Sequence, residues 1–286
     1  MPFREELNLA TIDQITLSTV WYGFQSLCRE MRSMVTRTSQ SYLISTLKDL
    51  SVGVWLADGS IVAVPEGLPV QFLGTSFAIA EIREIFKDDL HPGDVILTND
   101  PYHGGHNTHL PDWGYIRPVF LDGELLFFTL VRGHMMDTGG SFPGGYFANA
   151  YDIIAEGLNI PPLKIIKRGV VDADLNKLIF NNVRWPVEVK IDTDAMIATS
   201  KFAENRIIDL LRRYGKDTVL GSIHQMMDRT ERAVRAEIAA MPDGTYSGES
   251  ATDDDGTILD EPVTVRVDVT IKGDEITLDF SRSDAQ

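Results

Sequence analysis

The feature that most constrains this chain lies between residues 99 and 140, where two histidine-bearing loops flank one β-hairpin pattern. The first loop reads Asn99-Asp100-Pro101-Tyr102-His103-Gly104-Gly105-His106-Asn107-Thr108-His109-Leu110-Pro111-Asp112. A strand pattern follows over 113–120, then the turn pair Asp122-Gly123, then an apolar run over 125–131. The second loop opens with Arg132-Gly133-His134-Met135-Met136-Asp137-Thr138-Gly139-Gly140. Four of the six histidines fall in this window. An antiparallel hairpin brings its outer ends together, so the spacing alone predicts that His109, Asp112 and His134 converge.

Such a set suits a divalent cation, which needs imidazole nitrogens and carboxylate oxygens fixed in direction. Pro111 stiffens the spacer between His109 and Asp112. The competing reading is a solvated histidine loop with an incidental carboxylate. Asp49 is a candidate fourth ligand, because a carboxylate one residue before a buried strand is otherwise unwelcome. A cap or a solvated strand end explains it equally well. His103, His106 and Asp137 are candidates for ligands, for hydrogen-bond partners behind the ligands, or for proton transfer, with His103 and Asp137 taken as the catalytic candidates. The spacer around them carries five glycines between 132 and 145, which marks a backbone that approaches something closely.

The rest of the chain supplies the scaffold. Residues 12–35 carry Leu17, Val20, Phe24, Leu27, Met31 and Met34 at helical spacing, with Asp13 or Thr11 to cap the start. A strand over 50–57 turns at Asp58-Gly59, read as a type I′ hairpin turn, into a strand over 60–64. Residues 65–69 break the pattern, and a helix with a mostly buried face (Phe77, Ile79, Ala80, Ile82, Ile85, Phe86) spans about 76–87. A short strand over 95–98 leads into the first loop. Helices are expected over 172–182, 186–214 and 216–240, the last two long, antiparallel and suited to packing or an oligomer surface. Strand patterns return over 245–250, 262–271 and 275–280. The expected fold class is α+β: an N-terminal helix and mixed or antiparallel hairpins carrying the metal site (1–165), a long-helix region (166–241) and the start of an antiparallel β region (242–286).

Composition narrows the partners. A formal charge of −16 over 286 residues argues against nucleic acid and against an anionic membrane surface. The single cysteine, Cys28, excludes a disulfide framework and any multi-cysteine metal site, and its helical apolar setting predicts a reduced core residue. No secretory pattern opens the chain, and the simplest placement is cytoplasmic. No phosphate-binding glycine loop and no Gly-x-Ser-x-Gly elbow is present, so neither a nucleotide site nor a serine nucleophile is expected on this chain. The acidic run Asp253-Asp254-Asp255-Gly256 lacks calcium-loop spacing and reads as a solvated turn.

At these residues the sequence resembles the hydantoinase B family, the second subunits of ATP-dependent hydantoinases and oxoprolinases, with the related α-type subunits of acetone and acetophenone carboxylases. The segments that carry the likeness are Lys48-Asp49-Leu50-Ser51, the run from Gly93 to Gly105, Thr108-His109-Leu110-Pro111-Asp112, Gly133-His134, Asp137-Thr138-Gly139-Gly140, the run from Glu156 to Pro162, Asn182-Val183-Arg184 and Pro242-Asp243-Gly244-Thr245-Tyr246. The resemblance implies metal ligands at His109, Asp112 and His134, with Asp49 as a fourth, and implies zinc or manganese. It also implies a hetero-oligomer with a hydantoinase A type subunit that binds ATP and phosphorylates a small-molecule substrate. The implied reaction is the opening of a cyclic amide; the alternatives are ketone carboxylation and a shortened, non-catalytic assembly subunit. Two departures stand out. His106-Asn107 is inserted where the family passes directly from Gly-Gly to Thr-His, and family members continue past the point where this chain stops.

Overall fold

The computed structural model describes residues 12–102, 104–147 and 149–285. In chain order the elements are α1 (Gln14–Thr38), α2 (Tyr42–Ser45), β1 (Leu50–Leu56), β2 (Ile61–Ala63), α3 (Pro69–Phe72), α4 (Thr75–Phe86), β3 (Val95–Thr98), β4 (Asp112–Leu121), β5 (Glu124–His134), α5 (Ile153–Glu156), β6 (Leu163–Lys167), β7 (Val170–Val171), α6 (Ala173–Phe180), α7 (Pro186–Tyr214), α8 (Lys216–Ala239), β8 (Gly244–Thr252), β9 (Val263–Lys272) and β10 (Glu275–Asp279). The fold is α+β. The chain forms two compact units, divided after Ser222 within α8, with 148–151 belonging to the second.

The first unit is built on an antiparallel sheet ordered β2-β1-β5-β4-β3-β6-β7. Both faces are covered, so β1, β3 and the inner part of β5 are buried at every position instead of alternating. One face packs on α1 and α7. Phe24 of α1 meets Phe127 of β5 with ring centroids 5.8 Å apart. On the same face the Tyr115 hydroxyl pairs with that of Thr193 at 2.7 Å, and Arg117 reaches Ser200 and Glu204, all three partners lying on α7. The opposite face carries Trp55, Ile96, Ile116, Phe128 and Leu130 against Ala78, Ile79 and Ile82 of α4. The α1 start is fixed as expected by Asp13, whose carboxylate accepts from the Ile15 and Thr16 amides at 3.0 Å.

Some expectations need correction. The α1 stripe ends on Val35, which is buried, and Met34 is only half-buried. Asp58-Gly59 is not a type I′ turn: Gly59 has φ +89° but Asp58 is not in the left-handed region. The Gly59 amide closes on the Leu56 carbonyl, leaving the glycine as the left-handed residue after the turn. Asp122-Gly123 has φ values of +50° and +87°, as a type I′ turn requires. The segment at 65–69 runs directly into a single helical turn, α3. On α4 only Thr75, Ala78, Ile79 and Ile82 are buried, a stripe one sheet face wide. Phe77, Ala80 and Ile85 point outward. Residues 132–134 continue β5 rather than opening a loop.

The second unit holds the sheet β10-β9-β8, antiparallel throughout. Tyr246, Val265, Ile276, Leu278 and Phe280 are exposed on it. The acidic turn is capped by its own backbone: Asp254 accepts from the Gly256 amide, and Asp255 from those of Thr257 and Ile258.

Candidate metal centre

Three strand ends meet at one corner of the larger sheet. Asp112 is the first residue of β4 and His134 the last of β5, and the two are direct register partners. The His134 amide donates to the Asp49 carbonyl at 3.0 Å, which brings in the residue before β1. Strand alternation places Asp112 and His134 on the face that carries Ile116 and Leu130, toward the helices at 69–86. His109, one turn before β4, completes the corner. One ligand atom from each of His109, Asp112 and His134 lies within 4.8 Å of the other two. His109 Nε2 is 3.2 Å from Asp112 Oδ2, and His134 Nδ1 is 3.3 Å from Asp112 Oδ1 and 3.8 Å from Asp49 Oδ2.

The donor set fits a divalent cation on an observation of its own. His134 Nδ1 is buried and lacks a hydrogen bond, although carboxylate oxygens lie close. Those oxygens sit within reach but without hydrogen-bond alignment, as expected for groups aimed at a shared point. Two imidazoles and carboxylate oxygen suit zinc and related ions.

The electrostatics favour a charged carboxylate. Burial works against the Asp112 anion, but the neighbouring imidazoles of His109 and His134 outweigh it, and the carboxyl is held well below its usual range. Burial likewise disfavours charged His109, yet the bond and charge of Asp112 raise its pKa above the ordinary 6.5. Fully buried Arg132 is pushed down to about 10 by desolvation, partly offset by Asp112. For Tyr146, burial and then the Asp112 and Asp49 charges raise the phenol.

Of the other sequence candidates, His106 and Asp137 are not members of this group. His106, at φ +46°, sets its ring 5.6 Å from that of Phe77 on the rim. His103 lies outside the described residues. Asp137 is fully buried, and its hydrogen-bond partners are those of the glycine-rich loop and Arg184. Its carboxylate accepts from the Gly139, Gly144 and Arg184 amides and from the Arg184 guanidinium at 3.0 Å. With its acceptor positions so occupied, Asp137 anchors the glycine-rich loop to the segment before α7.

Four residues at the site escaped the sequence reading. Tyr146 stacks on His134 (centroids 5.4 Å, planes 13° apart) and tilts against His109 at 5.6 Å. Asn107 donates to the carbonyls of Asn99, His109 and Asp112. Gln71 of α3 donates to Asp49 and Asp112, and Arg132 donates to the Gln71 carbonyl. The inserted pair His106-Asn107 was the only sequence signal for any of them.

The sequence profile of the Hydantoinase B/oxoprolinase family matches residues 13–286. The chain belongs to that family. Among relatives of this hydantoinase B homologue, the beta chain of the caprolactamase of Pseudomonas jessenii is 34% identical over 93% of the present chain and 45% of its own length. The B component of a putative D-/L-hydantoinase of Pseudomonas sp. (strain NS671) is 32% identical over 98% of the present chain and 48% of its own length. The crystal structure of the ATP-dependent caprolactamase from P. jessenii superposes with a TM-score of 0.88 at 33% identity, covering 94% of this chain and 46% of that one. Nucleotide-free acetone carboxylase shares the fold, with a TM-score of 0.86 at 21% identity over 98% of this chain and 38% of that one. The hydantoinase B homologue thus spans about half the length of these two curated relatives. No helix among the described residues is long and apolar enough to cross a membrane.

Proposed function

We propose that this chain carries the metal-dependent half of an ATP-dependent, ring-opening amide hydrolase, with ATP bound and a cyclic amide phosphorylated on a hydantoinase A type partner. The observation that carries the reading is the convergence of His109, Asp112 and His134 at adjoining strand ends, in a family whose relatives include a caprolactamase component. His109, Asp112 and His134, with Asp49 beside them, would hold zinc or manganese. A cation held there supplies Lewis acidity and lowers the pKa of water. The protein's own part is to orient and shield: Tyr146 covers His134 and, being largely exposed, presents its ring to a small cyclic ligand. The reading places the protein in the cytoplasm, where ATP is available and Cys28 stays reduced.

The test reconstitutes the chain with an ATP-binding partner and compares lactams, hydantoins and oxoproline with ketones plus bicarbonate. Ring opening coupled to ATP hydrolysis, and reduced by about 100-fold or more in His109→Ala, is the expected result. Turnover only with a ketone and bicarbonate would replace the hydrolase by a carboxylase. Full activity in His109→Ala would leave an assembly role. Elemental analysis is expected to give about one zinc or manganese per chain, lost in His134→Ala.

A further inference from the structure

Asp49, just before β1, and Asp112, the first residue of β4, flank the end of β5, which lies between those two strands, and one uncharged side chain touches both. Gln71 Nε2 donates to Asp49 Oδ1 at 2.7 Å and to Asp112 Oδ1 at 3.2 Å. Gln71 is only 1% exposed, and its Oε1 has no partner, so the amide is oriented by its donor side alone. Ionised carboxylates only accept, which requires the nitrogen to face them. The clamp is itself clamped. Arg132, two residues before His134 on β5, donates to the backbone carbonyl of Gln71 at 2.5 Å.

Two carboxylates at one partly buried corner repel each other. An amide NH2 has two protons and no net charge, so it can hold both without repelling a cation. A lysine at this position would hold them and also compete with the metal. With Gln71 on Oδ1 of each carboxylate, Oδ2 of each lies beside an imidazole, Asp112 Oδ2 at 3.2 Å from His109 Nε2 and Asp49 Oδ2 at 3.8 Å from His134 Nδ1, while Asp112 Oδ1 also lies 3.3 Å from His134 Nδ1.

We infer that Gln71 is a positioning residue that makes Asp49 and Asp112 each present one oxygen, and so sets the site's preference among divalent cations. The inference rests on the metal reading of the site. Two imidazoles and two single-oxygen carboxylates form a compact four-donor set of the kind zinc prefers. Carboxylates released from the amide are free to use both oxygens, which favours cations with higher coordination numbers.

The test uses the full chain stripped of metal. Zn2+ and Mn2+ affinities are measured by competition with a chromophoric chelator, and the visible absorption of the Co2+ form is recorded. Gln71→Met keeps the side-chain length and removes both N–H donors. Zinc affinity is expected to fall by about 10–100-fold, with manganese affected less. The Co2+ band is expected to weaken as coordination number rises. Gln71→Asn, too short to reach both carboxylates, is expected to shift the zinc-to-manganese ratio the same way by less. It also serves if the methionine variant does not fold. A merely structural role would weaken both metals equally and leave the Co2+ spectrum unchanged, and that result would overturn the inference. Wild-type binding that is lost in His109→Ala but unchanged in both Gln71 variants would sink the role of Gln71 and keep the metal site. A wild-type chain that binds neither metal would overturn both.

Discussion

A single side-chain amide, that of Asn107, ties together the loop that carries His109 and Asp112. It donates to the carbonyls of Asn99 (3.1 Å), His109 (2.8 Å) and Asp112 (2.5 Å), and the residue is buried. Its two protons are shared among the three acceptors, and the His109 carbonyl also accepts from the Asp112 amide, so removing it takes a donor chiefly from the carbonyls of Asn99 and Asp112, at about 1–3 kcal/mol for an unsatisfied buried group. Asn107→Ala is therefore expected to lower the urea midpoint and to weaken zinc binding as the loop loosens. Unchanged stability and affinity would show that the loop is held by its backbone alone. Asn107 stood out in the sequence only as an inserted residue at the rim. Its inward direction follows from the left-handed turn at His106, which no local pattern announces. Gln71 was hidden for a related reason. Its segment reads as a proline-flanked break, and only the tertiary approach of α3 to the start of β1 gives its amide two acceptors.

At the scale of elements, α1 carries a built-in reporter. Cys28 is fully buried on its inner stripe, its thiol donates to the Ala63 carbonyl at 3.3 Å, and burial pushes its pKa up to about 12. The thiolate is the reactive form, so the folded protein is expected to resist a thiol reagent at about pH 8 and to react fully in denaturant. Rapid labelling of the native chain would mean that α1 lifts from β1 and β2. The elements best legible in the sequence share a property: α1, α7 and the β4–β5 hairpin each repeat one pattern over many residues and end on a recognisable signal. Asp13 caps α1, Pro186 and Gly215 bound α7, and Asp122-Gly123 sets the hairpin turn. That hairpin is also why the convergence of His109, Asp112 and His134 could be read from spacing, since a hairpin brings its outer ends together; the direct pairing of Asp112 with His134 depends in addition on a bulge between Val119 and Phe120 that shifts the register by one residue. The α4 face was less legible. Its apolar residues outnumber those the sheet can cover, and composition alone does not say that Phe77 and Ile85 turn outward while Ile79 and Ile82 turn in.

For the molecule as a whole, the proposed metal site would link metal binding to protons. His109 has its pKa raised above 6.5, so in the metal-free protein its contribution to stability is complete below 6.5 and is lost as pH rises through the folded value. Asp112 has its pKa depressed below 3.8, so its contribution is complete above 3.8 and is lost as pH falls through the folded value. The pair therefore supports the metal-free fold best between those limits. A cation needs His109 neutral, so binding strengthens as pH rises through that same raised pKa. The gap in Tm between loaded and chelator-treated protein is expected to widen from about pH 5.5 to about pH 8. At a metal concentration 100-fold above Kd it corresponds to about 2.7 kcal/mol. A gap that does not change with pH would remove His109 from the binding set. The seven-stranded sheet holding this corner has its two shortest strands, β2 and β7, at its edges. Edges of three and two residues offer almost no free backbone ladder for another strand to pair with. A second chain joining this unit is thereby directed away from strand addition and toward recognition of side-chain surfaces.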